Sequence, residues 1–312
     1  MSTPLIVGIA VLVLWLALEF KTSRPDGTLV KVPPYRRIMQ YLMPTRNESV
    51  VYFEIFIDAT NFLAWMEKAK SRFDANITHA TVAAVGMAIS HTPAMNRFVV
   101  GRRLYQRKGR WLTFSMLRVK LDKEAKIGTV KREFLDGENF RDWCDRVNGG
   151  IREERSGVKT SGDKELDLFN LLPRPVLMFV SSAIGWLNHY NILPGFFIKD
   201  DPMHTSIFVA NLGSLNMGPG YHHLYEYGTC PLFAMVGKIE DVPMAVDGEV
   251  KVRPRMHLRF SFDERIDHGL GARHGMDAIK RILADPQRFL GCTAEDGSDC
   301  KPMWPNPEWD KP

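Results

Sequence analysis

Two short stretches of this chain carry side chains that could do chemistry. In "FSFDERIDHGLGARH" (Phe260 to His274), Glu264, Asp267 and His268 share a loop between a strand-like and a helix-like run. In "GPGYHHLYEYG" (Gly218 to Gly228), His222 and His223 stand beside Tyr225 and Glu226 in a glycine-rich turn. An imidazole oriented by a carboxylate is the base half of a catalytic triad. His268 has Asp267 adjacent and Glu264 one helical turn back. His222 or His223 could act as a base or polarise a carbonyl, with Glu226 or Tyr225 as orienter. His79, His91, His189, His204 and His257 read as structural residues. A metal site built from His222, His223, His268 and Glu264 has no HExxH or comparable spacing behind it, so no metal is expected.

The elements that must hold these loops can be read from periodicity and caps. "VVYFEIFIDATNFLAWMEKAKSRF" predicts a strand and then a helix opened by Asp58 or Thr60. "NITHATVAAVGMAISHTPAMNRFV" predicts a helix ended by Pro93, "WLTFSMLRVKLD" a strand, and "GENFRDWCDRVNGGIREER" a helix. "TSIFVANLGS…FAMVGKIEDVP" reads as strand, glycine-rich turns, strand, and "HLRFSFDERIDHGLGARHGMDAIKRILADPQRFL" as strand, loop, long helix. Strands joined this tightly exclude an all-parallel sheet and point to mixed α/β layers. Leu171 to Ile198 is strongly apolar and bounded by prolines, either a buried helix pair or a membrane-touching flap.

With 312 residues, 45% of them hydrophobic, the chain can bury a full core. The net charge of +5 is spread along the chain. A nucleic-acid surface would show a dense basic cluster with stacking aromatics, so no nucleic-acid partner is expected. "VVGRRLYQRKGRW" (Val99 to Trp111) reads as a solvated hairpin edge guarded by cations. Cys144, Cys230, Cys292 and Cys300 form no CxxC pair and are expected as free thiols, although Cys292 and Cys300 could close a tail loop in an oxidising compartment.

"PLIVGIAVLVLWLALEF" (Pro4 to Phe20) is almost continuously apolar and about the minimum length of a spanning helix. It lacks the basic start and the small-residue cleavage site of a signal peptide. Lys21, Arg24, Lys31, Arg36 and Arg37 follow it, which by the positive-inside rule puts the rest of the chain in the cytoplasm. The expected organisation is a single-pass helix over 4–20, a linker over 21–34, a domain over 35–291 with an apolar insertion at about 165–199, and an extended tail over 292–312.

The order of "RRIMQYL", "VVYFEIFIDATNFLAWM", "ITHATVAAVGMAIS", "PAMNRF", "FVANLGS", "AMVGKIED" and the "FDERIDHG" loop resembles the catalytic domain of the dihydrolipoyl acyltransferases of 2-oxoacid dehydrogenase complexes. That domain shares the fold of chloramphenicol acetyltransferase. The resemblance implies a two-layer mixed-sheet α/β sandwich, a homotrimer with active sites between subunits, and coenzyme A or an acyl-CoA as substrate. It also implies a His-x-x-x-Asp-Gly loop whose His is the base and whose Asp holds the loop, with a Ser or Thr before the Asn-Leu-Gly turn stabilising the oxyanion, and it places the glycine-rich turn near the acceptor channel.

This chain departs at those positions. Glu264 stands at the base position and Ala210 at the oxyanion position. With one residue deleted, Asp267 keeps the Asp role and His268 takes the following Gly. No lipoyl domain precedes the resemblance, so no lipoyl group is expected. Three functions follow: an acyltransferase using His222, His223 or His268 on a small or lipid-like acceptor, a silent trimeric scaffold, or an acyl-CoA-binding sensor. A buried Glu264 could still serve as a base if desolvation raised its pKa.

Overall fold

The computed structural model of the chain describes residues 2–117, 127–156 and 169–310. Its main sheet has the order β2–β10–β8–β7–β5–β6, with β9 paired to β10. The strands are β2 (Val50–Asp58), β5 (Trp111–Leu117), β6 (Ile127–Glu133), β7 (Ile207–Asn211), β8 (Leu232–Val236), β9 (Glu240–Val246) and β10 (Glu249–Asp263). The β5–β7 and β7–β8 pairs are parallel and the others antiparallel, as the short connections demanded. A small second sheet, β1–β4–β3, joins Gly27–Leu29, Arg103–Arg107 and Arg97–Val100.

Alternation along the strands sorts their side chains onto two faces. Leu258, Phe260 and Phe262 of β10, Leu232, Ala234 and Val236 of β8, and Ile207 and Val209 of β7 all belong to the main core. Helices α3 (Thr60–Lys70), α4 (Ile77–His91), α5 (Phe140–Arg155) and α8 (Gly269–Ala284) contribute to the same core. α4 is buried over almost its whole surface, and its small residues Ala80, Ala83, Ala84 and Gly86 let neighbours approach closely. Asn76 and His79 cap it reciprocally: the Asn76 side chain accepts from His79 N–H at 3.2 Å and His79 Nδ1 accepts from Asn76 N–H at 3.1 Å. On the opposite face, Phe208, Ala210, Phe233 and Met235 form a smaller cluster with Leu224 and Cys230.

α1 (Thr3–Phe20) has a mean hydropathy of 2.2 and no buried residue, so by length and composition it could cross a membrane. Segment 21–34 is not a free linker. Arg24 is buried, β1 pairs with β4, and Val30 and Val32 pack on the core. Of the expected insertion, residues 165–168 lie outside the described residues. Its later part is no buried helix pair, because α6 (Arg174–His189) has no buried residue. α7 (Gly195–Asp200) follows, burying Ile198.

The tail is folded back rather than extended. Met303 and Trp309 are buried, Trp309 Nε1–H donates to His91 Nε2 at 3.1 Å, and α9 (Pro286–Phe289) supplies Phe289 to the same patch. Cys292 and Cys300 are joined by a disulfide, whereas Cys144 and Cys230 are free and buried. Apolar residues spaced through the polar tail drive its docking. The Val99–Trp111 hairpin forms as β3–β4, but Arg107 is not on a solvated edge: it is 4% exposed and faces Asp26.

Candidate active site on the outer sheet face

Register places two rows of side chains across the outer face of the sheet. One row runs Ala210, Met235, Arg259, Glu54; the next runs Phe208, Phe233, Ser261, Tyr52. The glycine-rich turn Gly218–Gly228 lies on these rows, and each of its fastenings is specific. Arg259 Nη1 donates to Pro219 O at 2.7 Å and its guanidinium sits 4.0 Å from the Tyr221 ring centroid. Ser261 Oγ–H donates to His222 O. Gly237, at the end of β8, is a required glycine, since a Cβ there would meet Pro219 at 2.3 Å.

The far half of the turn is fixed by Arg46, which follows α2 (Pro34–Leu42). Its Nη1 donates to the carbonyls of Tyr225 (3.0 Å) and Glu226 (2.6 Å), and its Nη2 to Gly228 O (2.8 Å). Glu226 returns the contact by accepting from Arg46 N–H and from the backbone and side chain of Asn47. Glu226 is therefore a fastening of the turn and does not orient either histidine.

His222 is held as a base would be. Its ring lies on Phe233 with centroids 3.9 Å apart and planes at 7°. Its Nδ1 is 2.7 Å from His223 O. A carbonyl only accepts, so Nδ1 carries the proton and Nε2 keeps its lone pair. Partial burial pushes its pKa below 6.5, which keeps the ring neutral near pH 7. His223 is exposed and meets Tyr225 edge-on at 4.9 Å; Tyr225 lies 5.6 Å from His222.

The loop after β10 is arranged differently. Asp263 and Arg265 form a buried two-pronged ion pair, with Ser49 Oγ–H on Asp263 Oδ1 at 2.8 Å and the Arg265 Nη1 on the carbonyls of Met43 and Pro44. Glu264 between them is exposed, not buried as the sequence reading required. His268 is the N-cap of α8: its Nδ1 accepts from Gly271 N–H at 3.3 Å, and its Nε2 stands 3.9 Å from Asp267 Oδ1. The helix start thus engages Nδ1, while Nε2 is too far from Asp267 for a hydrogen bond. Asp267 is buried, pairs with Arg36 at 3.5 Å, and packs so closely on Gly271 that a Cβ there would meet its carboxylate at 1.7 Å.

The structure therefore brings His222, His223 and Tyr225 together and leaves Glu264, Asp267 and His268 on a separate loop. Among the described residues no hydrogen bond or ring contact joins the two groups. Ala210, 9% exposed, offers no hydroxyl to an oxyanion. The sequence reading took His204 as structural and did not see that its buried imidazole faces Asp201, Nδ1 and Oδ2 being 3.2 Å apart. The i, i+3 spacing in "DPMH" was the available signal.

Residues 199–291 match the family model described as 2-oxoacid dehydrogenases acyltransferase (catalytic domain). A 62-residue stretch is 44% identical to the dihydrolipoyllysine-residue succinyltransferase component of the 2-oxoglutarate dehydrogenase complex of Pseudomonas aeruginosa, covering 19% of this chain and 15% of that protein. The chain thus matches only a small part of the length of such relatives. A probable dihydrolipoamide acetyltransferase from Listeria monocytogenes superposes with a TM-score of 0.54 at 14% identity, over 82% of this chain and 94% of that one. The Azotobacter vinelandii dihydrolipoamide acetyltransferase, studied for a serine, a histidine and an asparagine in its catalytic mechanism, gives 0.54 at 15% identity, over 83% and 93%. The resemblance read from the sequence and the mixed-sheet acyltransferase fold are both borne out.

Proposed function

We propose that this chain, which carries a dihydrolipoyl acyltransferase-type catalytic fold, is a membrane-held acyltransferase that moves an acyl group from coenzyme A to a small or lipid-like hydroxyl acceptor, with His222 as base. One observation carries the reading: a neutral imidazole, fixed by Nδ1–H to a carbonyl and stacked on Phe233, with its Nε2 lone pair free. In the proposed reaction Nε2 takes the acceptor's hydroxyl proton as the oxygen attacks the thioester carbonyl. The tetrahedral intermediate collapses with cleavage of the C–S bond, and the leaving thiolate recovers the proton from the imidazolium. The products are an ester and free coenzyme A. Ala210 supplies no oxyanion donor, a loss typically worth on the order of 10²–10³ in rate, so slow turnover is expected. Tyr225 is the nearest hydroxyl-bearing side chain in ring contact with His222.

The membrane reading rests on α1 and on what surrounds its base. Glu19 Oε1 accepts from Tyr190 Oη–H at 3.3 Å and the Glu19 carbonyl from Arg103 Nη2, which ties the end of α1 to the residue that follows α6. α6 leaves Met178 58%, Phe179 73% and Trp186 49% exposed, an apolar surface suited to lying in the lipid interface beside the span. Lys21, Lys31, Arg36 and Arg37 follow α1 and favour a cytoplasmic domain; Arg24 is withdrawn into the fold and drops out of that count. A homotrimer is the expected assembly.

The competing reading is a silent scaffold or acyl-CoA sensor, favoured by Ala210 and the exposed Glu264. The test is incubation of the detergent-purified protein with acyl-CoA esters of short to long chain, with and without lipid extract. The reading predicts thiol release matched mole for mole by acylated acceptor in the mass spectrum. Binding without release would establish the sensor, and neither binding nor release the scaffold.

A further inference from the structure

The ends of three helices meet at the turn between β3 and β4. At Gly101, φ is +55° and a Cβ would meet His189 O at 2.5 Å, so only glycine lets the end of α6 seat there. Arg102 holds its guanidinium 5.0 Å from the ring centroid of Tyr41 on α2. Arg103 Nη2 donates to the carbonyl of Glu19 on α1. The segment after α1 locks the same junction. Asn191 Nδ2 donates to Lys21 O at 3.0 Å. Arg24, paired to Asp26 at 2.6 Å, donates to Asn188 Oδ1 at 3.2 Å and Asn191 Oδ1 at 3.1 Å.

Beyond this junction the surface is apolar and cationic. α1 is exposed from Thr3 to Ala17, so α6 does not run alongside it and leaves the junction in another direction. α6 exposes Met178, Phe179 and Trp186. On α2, Ile38 and Leu42 are 57% and 68% exposed and share the side of the helix that carries Tyr41. Residues 27–47 and 169–199 contain no Asp or Glu. Arg37, Arg102 and Arg174 are exposed, and among the described residues Arg37 and Arg102 pair with no carboxylate. Aromatic and aliphatic side chains rimmed by cations, with no anions among them, complement an anionic lipid surface. The patch is continuous with the foot of α1, where such a surface would lie.

We propose that α6 and the Ile38–Leu42 side of α2 dock the domain on the anionic headgroups and upper acyl chains of the membrane that α1 crosses, which rests on the reading of α1 as a span. Arg37 and Arg102 pair with lipid phosphates there, and the domain is held against the leaflet instead of swinging on one helix.

The test uses the full chain in vesicles of phosphatidylcholine, alone or with phosphatidylglycerol, and an environment-sensitive fluorophore on Phe179→Cys or Ile38→Cys. Cys144 and Cys230 are buried and Cys292 and Cys300 are bonded, so the label goes to the introduced thiol. Val13→Cys reports the span and Lys68→Cys, exposed on α3, reports the water-facing domain. All four positions are exposed, so the core is undisturbed. Quenching is by lipids with a nitroxide on the acyl chain. The expected result is quenching at 13, 38 and 179 but not at 68, stronger with phosphatidylglycerol. Arg37→Gln and Arg102→Gln should each lower the docked-to-free ratio by about fivefold at low salt. Quenching at 13 with none at 38 or none at 179 would overturn the docking surface and leave the span standing. A blue-shifted but unquenched label at 38 or 179 would mean that a second copy covers the patch, which also overturns it. Quenching indifferent to lipid charge and to both arginines would overturn the anionic partner. No quenching at 13 would remove the span and this surface with it.

Discussion

The imidazole of His222 lies flat on the ring of Phe233, 3.9 Å between centroids, with its Nδ1 committed to the His223 carbonyl. Partial burial in this stack pushes its pKa below 6.5. A base must be deprotonated to act, so activity should rise with pH and reach its plateau at a lower pH than an unperturbed histidine would allow. The midpoint of the ascending, acid-side limb of kcat/KM should therefore fall below 6.5. A midpoint above that value would mean another group is titrating.

Arg265 and Asp263 form a two-pronged pair, Nε–Oδ1 at 2.9 Å and Nη2–Oδ2 at 2.8 Å, with both side chains buried. Removing one partner strands a buried charge. Arg265→Ala or Asp263→Ala should each destabilise the fold by about 3–5 kcal/mol, and the double replacement Asp263→Ala/Arg265→Ala by less than their sum. Chemical denaturation of the four proteins measures this coupling.

The fold was far more legible than the site, and for a physical reason. β10 and α8 could be read because their inward residues repeat at two and near 3.6, and packing against the core enforces those periods. The buried ion network was not legible. Nothing local distinguishes Arg24 and Arg107, which find Asp26, from Arg102 or Arg110. The tail hid its docking because Met303, Trp304 and Trp309 follow no repeat in a polar stretch. At the site, His222 could be named, but its orienter could not: Glu226 looked poised beside it and instead caps the turn at Arg46 and Asn47. His268 looked like a displaced base, yet a helix start needed its Nδ1 as a cap.

His79 gives stability a pH dependence. It is buried in the first turn of α4, its Nδ1 accepts from Asn76 N–H, and burial pushes its pKa from 6.5 down to about 4. Above about 6.5 the ring is neutral in both folded and unfolded chains and no stability is lost. As pH falls from 6.5 towards 4 the unfolded chain takes up a proton that the folded chain refuses. Stability should drop over that window by up to about 3 kcal/mol. His79→Gln, which keeps an acceptor for the Asn76 N–H, should flatten that part of the stability–pH curve.

The Cys292–Cys300 disulfide turns sidedness into a chemical readout. A cytoplasmic domain would keep this pair reduced in the cell and oxidise it only after lysis. Acid quenching of intact cells followed by alkylation should then label both cysteines, while protein purified in air should label neither. A pair already bonded in the quenched cells would place the domain on the oxidising side and reverse the orientation of α1.

The most direct test of the account compares wild type, His222→Ala and His268→Ala for thiol release from acyl-CoA in the presence of lipid, with thermal unfolding run on the same samples. The account predicts that His222→Ala loses on the order of 10²–10⁴ in rate while remaining folded, and that His268→Ala keeps its turnover. Activity that survives loss of His222 but not of His268 would contradict it.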